Sequence, residues 1–279
     1  MSTLYLVATP IGNLEDISMR AVRVLGSVRL IAAEDTRHTA KLLQHYNIHT
    51  SCLSYHEHNK LVRLDAILKA LDEGDVALVS DAGTPALNDP GYELVRAVLA
   101  KGHTVSPIPG ACAPIAALVA SGLPTDAFLY LGYLPRKKSE RQRQLELIGE
   151  LSYTLIFLEA PHRLLTALED LQACLGDRQV SVAREMTKLH EEIFRGALSE
   201  AREHFSMQPP RGEFTLVLEG GKIRAKRWAE QRLDAELEIY LVKGETTSQL
   251  AARLAGPSGW SRREIYQRLL ENQGKKGTR

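Results

Sequence analysis

The feature that most constrains this chain is an alternation: short, unbroken apolar runs give way to helical periodicity and return, over the first 220 or so residues. Residues 4–8, 30–33, 76–79 and 104–108 read as strands, and 76–79 (Val-Ala-Leu-Val) is apolar at every position, as a strand buried on both faces has to be. Between and after them, 18–25, 39–46, 61–71, 92–100 and 112–121 carry helical spacing, with Leu61, Leu64, Leu68 and Leu71 on one face. Strands that alternate with helices in this way predict an α/β lobe built on a mostly parallel sheet. The pattern pauses at 122–126 and restarts, with strands expected at 128–132, 154–158, 179–183 and 214–218 and helices at 142–151, 164–175 and 199–205. After Gly220-Gly221 no strand-like run remains. The organisation expected is an α/β lobe over 1–124, a second α/β lobe over 125–221, and a basic helical tail over 222–279.

Composition narrows the class. Of 279 residues 44% are hydrophobic, enough for a substantial core. The richest apolar stretch, 113–123, is interrupted by Gly122 and too short to span a bilayer. The first residues read as a strand and not as a signal peptide, so a cytoplasmic, membrane-free protein is expected. Cys52, Cys112 and Cys174 are too few and too far apart for a disulfide framework or a zinc motif, and no metal is expected. The net charge of +1 conceals an asymmetry: residues 222–279 hold 13 Lys and Arg against 7 Asp and Glu, so the tail is basic and the body acidic. Such a tail suits an anionic partner, and it equally suits a solvated helical appendage.

Three strand-end turns carry the chemical signal. The first, Ala8-Thr9-Pro10-Ile11-Gly12-Asn13, is a tight turn into a helix that Asp16 or Ser18 can cap. It is not a G-x-G-x-x-G fingerprint, and no P-loop occurs anywhere, which removes dinucleotide and P-loop nucleotide sites. In the second, the buried strand ends in Ser80-Asp81-Ala82-Gly83-Thr84-Pro85 and runs on to Asn88-Asp89-Pro90-Gly91. Ligands of open α/β sheets bind at the carboxyl ends of strands, where Asp81 is expected to sit. Asp89, just before Pro90, reads as a helix cap. The third, Pro107-Ile108-Pro109-Gly110-Ala111-Cys112-Ala113-Pro114, opens a helix with small side chains, leaving free amides beside a ligand, and Pro114 is tolerable there because it falls in the first turn.

With these residues on the page, the chain resembles the ribosomal RNA small subunit methyltransferase I family, a branch of the tetrapyrrole methylases. The resemblance rests on L-Y-L-V-A-T-P-I-G-N-L-E-D-I, A-A-E-D-T-R-H-T, V-S-D-A-G-T-P-x-x-N-D-P-G and P-x-P-G-x-C-A, in order. It continues through F-L-E-A-P-H-R at 157–163, A-R-E-M-T-K at 183–188 and G-E-F-T-L-V at 212–217. It implies two α/β lobes of tetrapyrrole-methylase type with S-adenosylmethionine held between them, a homodimer, and methyl transfer to the ribose 2′-oxygen of a cytidine in the decoding region of 16S rRNA. Carried over position by position, it places cofactor contacts on Pro10, Asp81, Gly83, Thr84, Gly110, Cys112 and Ala113. From the second lobe it adds Leu158, Arg184, Glu185, Phe214 and Thr215. Ala111 and Pro114 depart from the family pattern, which puts in question how the following helix meets the cofactor. Tetrapyrrole-acting members read Gly-Asp-Pro where this chain has Ser80-Asp81-Ala82.

Polar clusters supply the remaining candidates. Glu34-Asp35-Thr36-Arg37-His38 follows a four-residue apolar strand and so lies at the same sheet edge. A 2′-hydroxyl is a poor nucleophile that a carboxylate or imidazole assists, and Glu34, Asp35, His38 and His162 are the candidates, with Arg37 available for a phosphate. Arg136, Lys137, Lys138, Arg141 and Arg143 crowd eight positions and are expected to contact RNA phosphates, a solvated helix start being the alternative. In the tail, helices at 247–254 and 261–270 flank a turn at 256–259, resembling a helix-turn-helix with a connection longer than usual. Two rival readings stand beside rRNA methylation: methyl transfer to a tetrapyrrole or other small molecule, and RNA binding without catalysis.

Overall fold

The structure, a computed structural model, describes residues 1–221, 228–242 and 245–276. The expected start of the tail at 222–227 and its last residues, 277–279, lie outside the described residues, as do 243–244. Among the described residues no helix is long and apolar enough to cross a membrane.

The first sheet contains β1 (Thr3–Val7), β2 (Leu30–Ala33), β3 (Cys52–Ser54), β4 (Val76–Val79) and β5 (Thr104–Ile108). Its order is β3-β2-β4-β1-β5, and every neighbouring pair is parallel. Strand alternation sorts its residues into two cores. Tyr5, Val7, Ala77 and Val79 face one side, against Ala21, Val24 and Leu25 of α1 (Met19–Ser27) and Leu43 of α2 (Thr36–His45). Leu4, Leu6, Val76 and Leu78 face the other, against Ile67 and Leu71 of α3 (Lys60–Glu73) and Leu94 and Val98 of α4 (Tyr92–Ala100). Of the two caps expected for α1, Ser18 is the one used: its hydroxyl accepts from the Ala21 N–H at 3.1 Å. α2 starts at Thr36, three residues before the expected start, because the Asp35 carboxylate accepts from the Arg37 N–H at 2.8 Å. The short edge strand β3 was not expected from the sequence, having only three half-buried residues.

The second sheet, unlike the first, is largely antiparallel. It holds β6 (Phe128–Tyr133), β7 (Thr154–Glu159), β8 (Gln179–Arg184), β9 (Glu192–Ala197) and β10 (Phe214–Leu218), in the order β6-β7-β10-β8-β9. Only β6 and β7 are parallel; β7, β10, β8 and β9 pair antiparallel. β9 went unrecognised because Glu192-Ile193-Phe194-Arg195-Gly196-Ala197 has no continuous apolar run. The helices of this lobe are α6 (Lys138–Ile148), α7 (Leu164–Leu175) and α8 (Leu198–Ser206). The helix before the lobe boundary, α5 (Ala113–Ser121), also packs here: Ala117 and Leu118 lie among Ile156, Ala183 and Val217.

The chain divides into two compact units, one holding both sheets and the other the tail helices. Those are α9 (Glu230–Val242), α10 (Thr247–Ser258) and α11 (Arg262–Lys276), with a core of their own made by Leu233, Leu237, Leu250, Leu254, Trp260, Ile265 and Leu269. α10 continues through Gly256 and Pro257, so the expected turn at 256–259 is replaced by a connection of only 259–261. That is the tight link of a helix-turn-helix. A capping box opens α11: the Ser261 N–H donates to Glu264 at 2.8 Å and the Glu264 N–H to the Ser261 hydroxyl at 3.2 Å.

One charged pair lies inside the second lobe. Arg141 of α6 donates through Nε to Asp170 of α7 at 2.6 Å, and both side chains are 6% exposed. Removing one partner strands a buried charge, so Asp170→Ala is expected to cost about 3–5 kcal/mol in urea unfolding. A paired Arg141→Met, Asp170→Leu replacement should recover most of that loss.

Candidate functional site

The carboxyl ends of β1, β2, β4 and β5 are drawn together by hydrogen bonds between the loops that follow them. Thr9 and Gly83 exchange two backbone bonds, Thr9 N–H to Gly83 O at 2.9 Å and Gly83 N–H to Thr9 O at 3.0 Å. Gly83 has φ +80°, a left-handed conformation that costs glycine little. The Thr84 hydroxyl donates to Ala111 O at 3.1 Å, tying the β4 loop to the start of α5. Across the sheet, the Asp81 N–H donates to Glu34 at 3.3 Å and the Asp35 N–H donates to Asp81 Oδ1 at 2.9 Å. The strand-end placement expected for Asp81 is therefore observed.

These loops form one wall of a cavity of about 250 Å³. Eight of the expected cofactor positions line it: Asp81, Gly83, Thr84, Cys112 and Ala113 from the first lobe, and Leu158, Phe214 and Thr215 from the second. Glu34 lines it as well. Pro114 is buried in the first turn of α5 and forms part of the wall, so this departure from the family pattern is accommodated as a surface of the cavity. The other departure, Ala111, supplies the carbonyl that Thr84 holds.

Other expected residues lie elsewhere. Neither Pro10 nor Gly110 is on the cavity wall: Ile11, next to Pro10, is, and the exposed Gly110 sits with Ala8 3.0 Å from where its Cβ would be. Arg184 and Glu185 are not on this wall; they line a separate cavity with His190, Glu192 and His204. Strand alternation explains it: Ala183 faces α5, and Arg184 turns to the other side, where it donates to Arg211 O at 2.9 Å. Glu185 accepts the Glu213 N–H at 3.1 Å and so holds a residue of the cleft without reaching it. The segment 34–38 is not a bare loop: Asp35 caps α2, and Thr36, Arg37 and His38 form its first turn. His38 is exposed and off the cavity wall. Arg37 points into solvent, 89% exposed, with its fork on Asp35 at 3.1 and 2.7 Å. The guanidinium holds the Asp35 carboxyl well below the usual carboxylate range.

A second cavity, of about 900 Å³, opens at the carboxyl ends of the parallel pair β6 and β7, and Tyr133 lines both. Arg136 and His162 lie on its walls with exposed side chains, and Lys137 and Lys138 follow at the start of α6. Arg141, expected among the RNA contacts, is not available to a ligand: it is buried on Asp170 and donates to Pro135 O at 2.9 Å and Arg136 O at 3.2 Å. It shapes the loop that presents Arg136.

The sequence reasoning missed Asp89, Tyr130, Tyr133 and Glu213, all of which line the cleft. Asp89 was read as a helix cap, but the N-cap of α4 is Gly91 and no side chain caps it. Burial first, and then the charge of Glu34, lift the Asp89 carboxyl to about 6, while the Ser80 hydroxyl beside it pulls the other way. Glu34 is likewise raised, mainly by burial. The Tyr130 hydroxyl is buried with no hydrogen-bond partner among the described residues, and burial pushes it up to about 12. The site thus combines small-residue turns for close backbone approach, apolar walls, and carboxylates suited to a cationic ligand.

A family profile described as Tetrapyrrole (Corrin/Porphyrin) Methylases matches residues 3–202. The chain is 50% identical over 274 residues to the ribosomal RNA small subunit methyltransferase I of Synechocystis sp., covering 97% of this chain and 98% of that one. It is 48% identical over 221 residues to the protein of the same name from Thermotoga maritima, covering 79% of this chain but 99% of that one. Its fold is similar to that of uroporphyrin-III C-methyltransferase from Thermus thermophilus complexed with S-adenyl homocysteine, with a TM-score of 0.54 at 20% identity, over 80% of this chain and 98% of that one.

The raised carboxyl has a consequence for stability. A carboxyl with a higher affinity for its proton in the folded state opposes folding once pH exceeds its native value, because ionisation is then easier in the unfolded chain. Asp89→Asn, which mimics the protonated form, should raise the thermal midpoint by a few degrees at pH 7–8. The gain should shrink as pH falls through about 6 and vanish below about 4, where both states are protonated. Thermal denaturation of both proteins across that range checks it.

Proposed function

The chain belongs to the ribosomal RNA small subunit methyltransferase I family, within the tetrapyrrole methylases, and on that premise we propose which atom it methylates and which of its residues serve the reaction. It is an S-adenosylmethionine-dependent enzyme acting on small-subunit ribosomal RNA. The acceptor proposed is the ribose 2′-oxygen of a cytidine in the decoding region of 16S rRNA, and the working form is a homodimer in the cytoplasm.

The observation that carries this reading is the cleft itself, where the glycine turns of the first lobe face Leu158, Phe214 and Thr215 of the second. These residues fit S-adenosylmethionine on physical grounds. Gly83 and the start of α5 offer close backbone approach, Leu158 and Phe214 offer apolar cover, and Glu34, Asp81 and Asp89 offer negative charge to a cation. When bound, the cofactor supplies a methyl group on a positively charged sulfur. The protein aligns the acceptor oxygen with that methyl, and alignment alone supplies much of the rate. Leu158 and Phe214 exclude water; Glu34 and Asp81 hold the loops after β2 and β4 together, each accepting a backbone N–H from the other's loop. In this reading Pro10 and Gly110 act through their neighbours Ile11 and Ala111, and Arg184 and Glu185 act on the cofactor wall only through Arg211 and Glu213.

The second cavity favours RNA over a tetrapyrrole. It shares Tyr133 with the cleft and is lined by Arg136 and His162, with Lys137 and Lys138 next in the chain after Arg136, cations that a phosphate backbone can use and a small substrate does not need. Arg37 contributes from the α2 side by exchanging Asp35 for a phosphate. A role for His38 or His162 as proton acceptor has less support than one for a carboxylate, because neither lines the cleft. For the homodimer, support comes from α5, whose outer side exposes Ile115 and Val119 at 42% and 69%.

The direct test supplies purified protein and S-adenosylmethionine to small subunits from cells lacking the modification. Nuclease digestion and mass spectrometry are expected to find 2′-O-methylcytidine; a methyl on a base nitrogen would refute the acceptor. Removing residues 222–279 should leave cofactor affinity intact while weakening RNA binding and flattening its dependence on salt. Equal affinity and equal salt slope for both forms would assign the tail to packing.

A further inference from the structure

Asp89 occupies an unusual position for an acid ahead of a proline and a helix. The turn leading to it places two non-glycine residues in the left-handed region, Ala86 at φ +64° and Asn88 at φ +65°. Such conformations persist only where the surroundings enforce them. The enforcement comes from the other lobe. Asn88 packs onto Gly132 of β6, itself at φ +64°, where a Cβ would lie 2.4 Å from Asn88 Nδ2. The turn is thereby held against β6, and Asp89 is directed into the cleft and not onto α4.

The groups around it can be enumerated. Ser80 and Asp81 face it from the end of β4, Glu34 from the end of β2, Tyr130 and Tyr133 from β6, Cys112 from the start of α5, and Glu213 from the approach to β10. Glu34 and Asp81 already accept backbone N–H groups from one another's loops. Among the described residues Asp89 has no such backbone donor, and Tyr130, whose unpartnered hydroxyl is buried, lines the same cavity.

We propose that Asp89 takes the proton from the acceptor hydroxyl during methyl transfer, with the Tyr130 hydroxyl donating to the same carboxylate or to the acceptor oxygen. This rests on the reading of the cleft as the site of RNA methylation. The step balances. As the new O–C bond forms, the C–S bond breaks and its electron pair stays on sulfur, while the hydroxyl proton passes to Asp89. A neutral alcohol, a sulfonium and a carboxylate become an ether, a thioether and a carboxylic acid. A carboxylate buried among other acids is a stronger base than one on the surface, yet is still ionised at neutral pH.

The test measures single-turnover rates on small ribosomal subunits with saturating cofactor between pH 5 and 8. The wild-type rate should fall about tenfold per pH unit below about 6. Asp89→Asn should be slower by about 10²–10⁴-fold, with that limb gone, and Asp89→Glu should recover part of the rate. Calorimetry should find affinity for the neutral, demethylated cofactor nearly unchanged in Asp89→Asn. Carboxyl ¹³C resonances of the free protein should include one titrating near 6 that is missing from this variant. An active wild type beside an Asp89→Asn variant of equal rate overturns the proposal alone, as does a limb that survives in Asp89→Asn and disappears in Glu34→Gln. A wild type that modifies no ribose overturns the acceptor reading, and this proposal with it.

Discussion

Helix α5 follows the last strand of the first sheet but buries its inner face on the second, and the cleft depends on that crossing. Its first residues, Cys112, Ala113 and Pro114, are cavity wall; one turn later Ala117 and Leu118 are core of the other lobe. Alanine and serine dominate its sequence, Ala-Pro-Ile-Ala-Ala-Leu-Val-Ala-Ser, so the helix can lie close to the sheet beneath it. Its C-terminal end is held by Arg195 of β9, which donates through Nε to the otherwise orphaned Ala120 carbonyl at 3.1 Å. Because one rigid element serves both lobes, a displacement of the second sheet would be transmitted to the turn at 110–114. The bond from Thr84 to Ala111 would pass it on to the loop carrying Asp81 and Gly83.

Much of this was legible in the residues, and the gaps have physical causes. β4 could be recognised with its exact limits because a strand buried on both faces must be apolar throughout, and Val76-Ala77-Leu78-Val79 is. α7 was equally plain from its periodicity. The antiparallel pairing of the second sheet was not, since strand direction is set by how connections close and not by the composition of each strand. β9 is an edge strand whose Ile193 and Phe194 are followed at once by the exposed Arg195 and by Gly196, so it offers no apolar run. Pro257 read as a helix end, yet lies inside α10, one residue before its close. At the site, the small-residue turns pointed to Asp81, Gly83 and Thr84, which line the cleft, because close backbone approach leaves a trace in residue size. Asp89 left the same trace, an acid between Asn88 and Pro90, but a capping turn explained it equally well. Only the contact of Asn88 with Gly132, 44 residues on, distinguishes the two.

The tail shows how a charge surplus can mislead when it is counted without geometry. Among its described side chains, Arg268 is bound to Asp234 at 2.7 Å and lies over Trp260, and Arg253 is bound to Glu245 at 2.6 Å and lies over Tyr240. Arg232 stacks on Trp228 at 4.4 Å. Part of the basic character therefore builds the three-helix unit. What it leaves for a polyanion includes Arg263, exposed in the first turn of α11. With a core of its own, the tail is a compact unit distinct from the one that holds the two sheets.

The carboxylates of the cleft bear on what happens after the chemistry is over. A sulfonium is a cation, and the thioether left behind once its methyl has gone is neutral. Glu34, Asp81 and Asp89 line the same small cavity, where water screens them less than it would at the surface. For a cofactor bound there as proposed, their field distinguishes the fresh form from the spent one by charge, although the two differ in shape by a single methyl group. It favours the exchange of used for unused cofactor, and so gives the cleft a direction from one round of modification to the next.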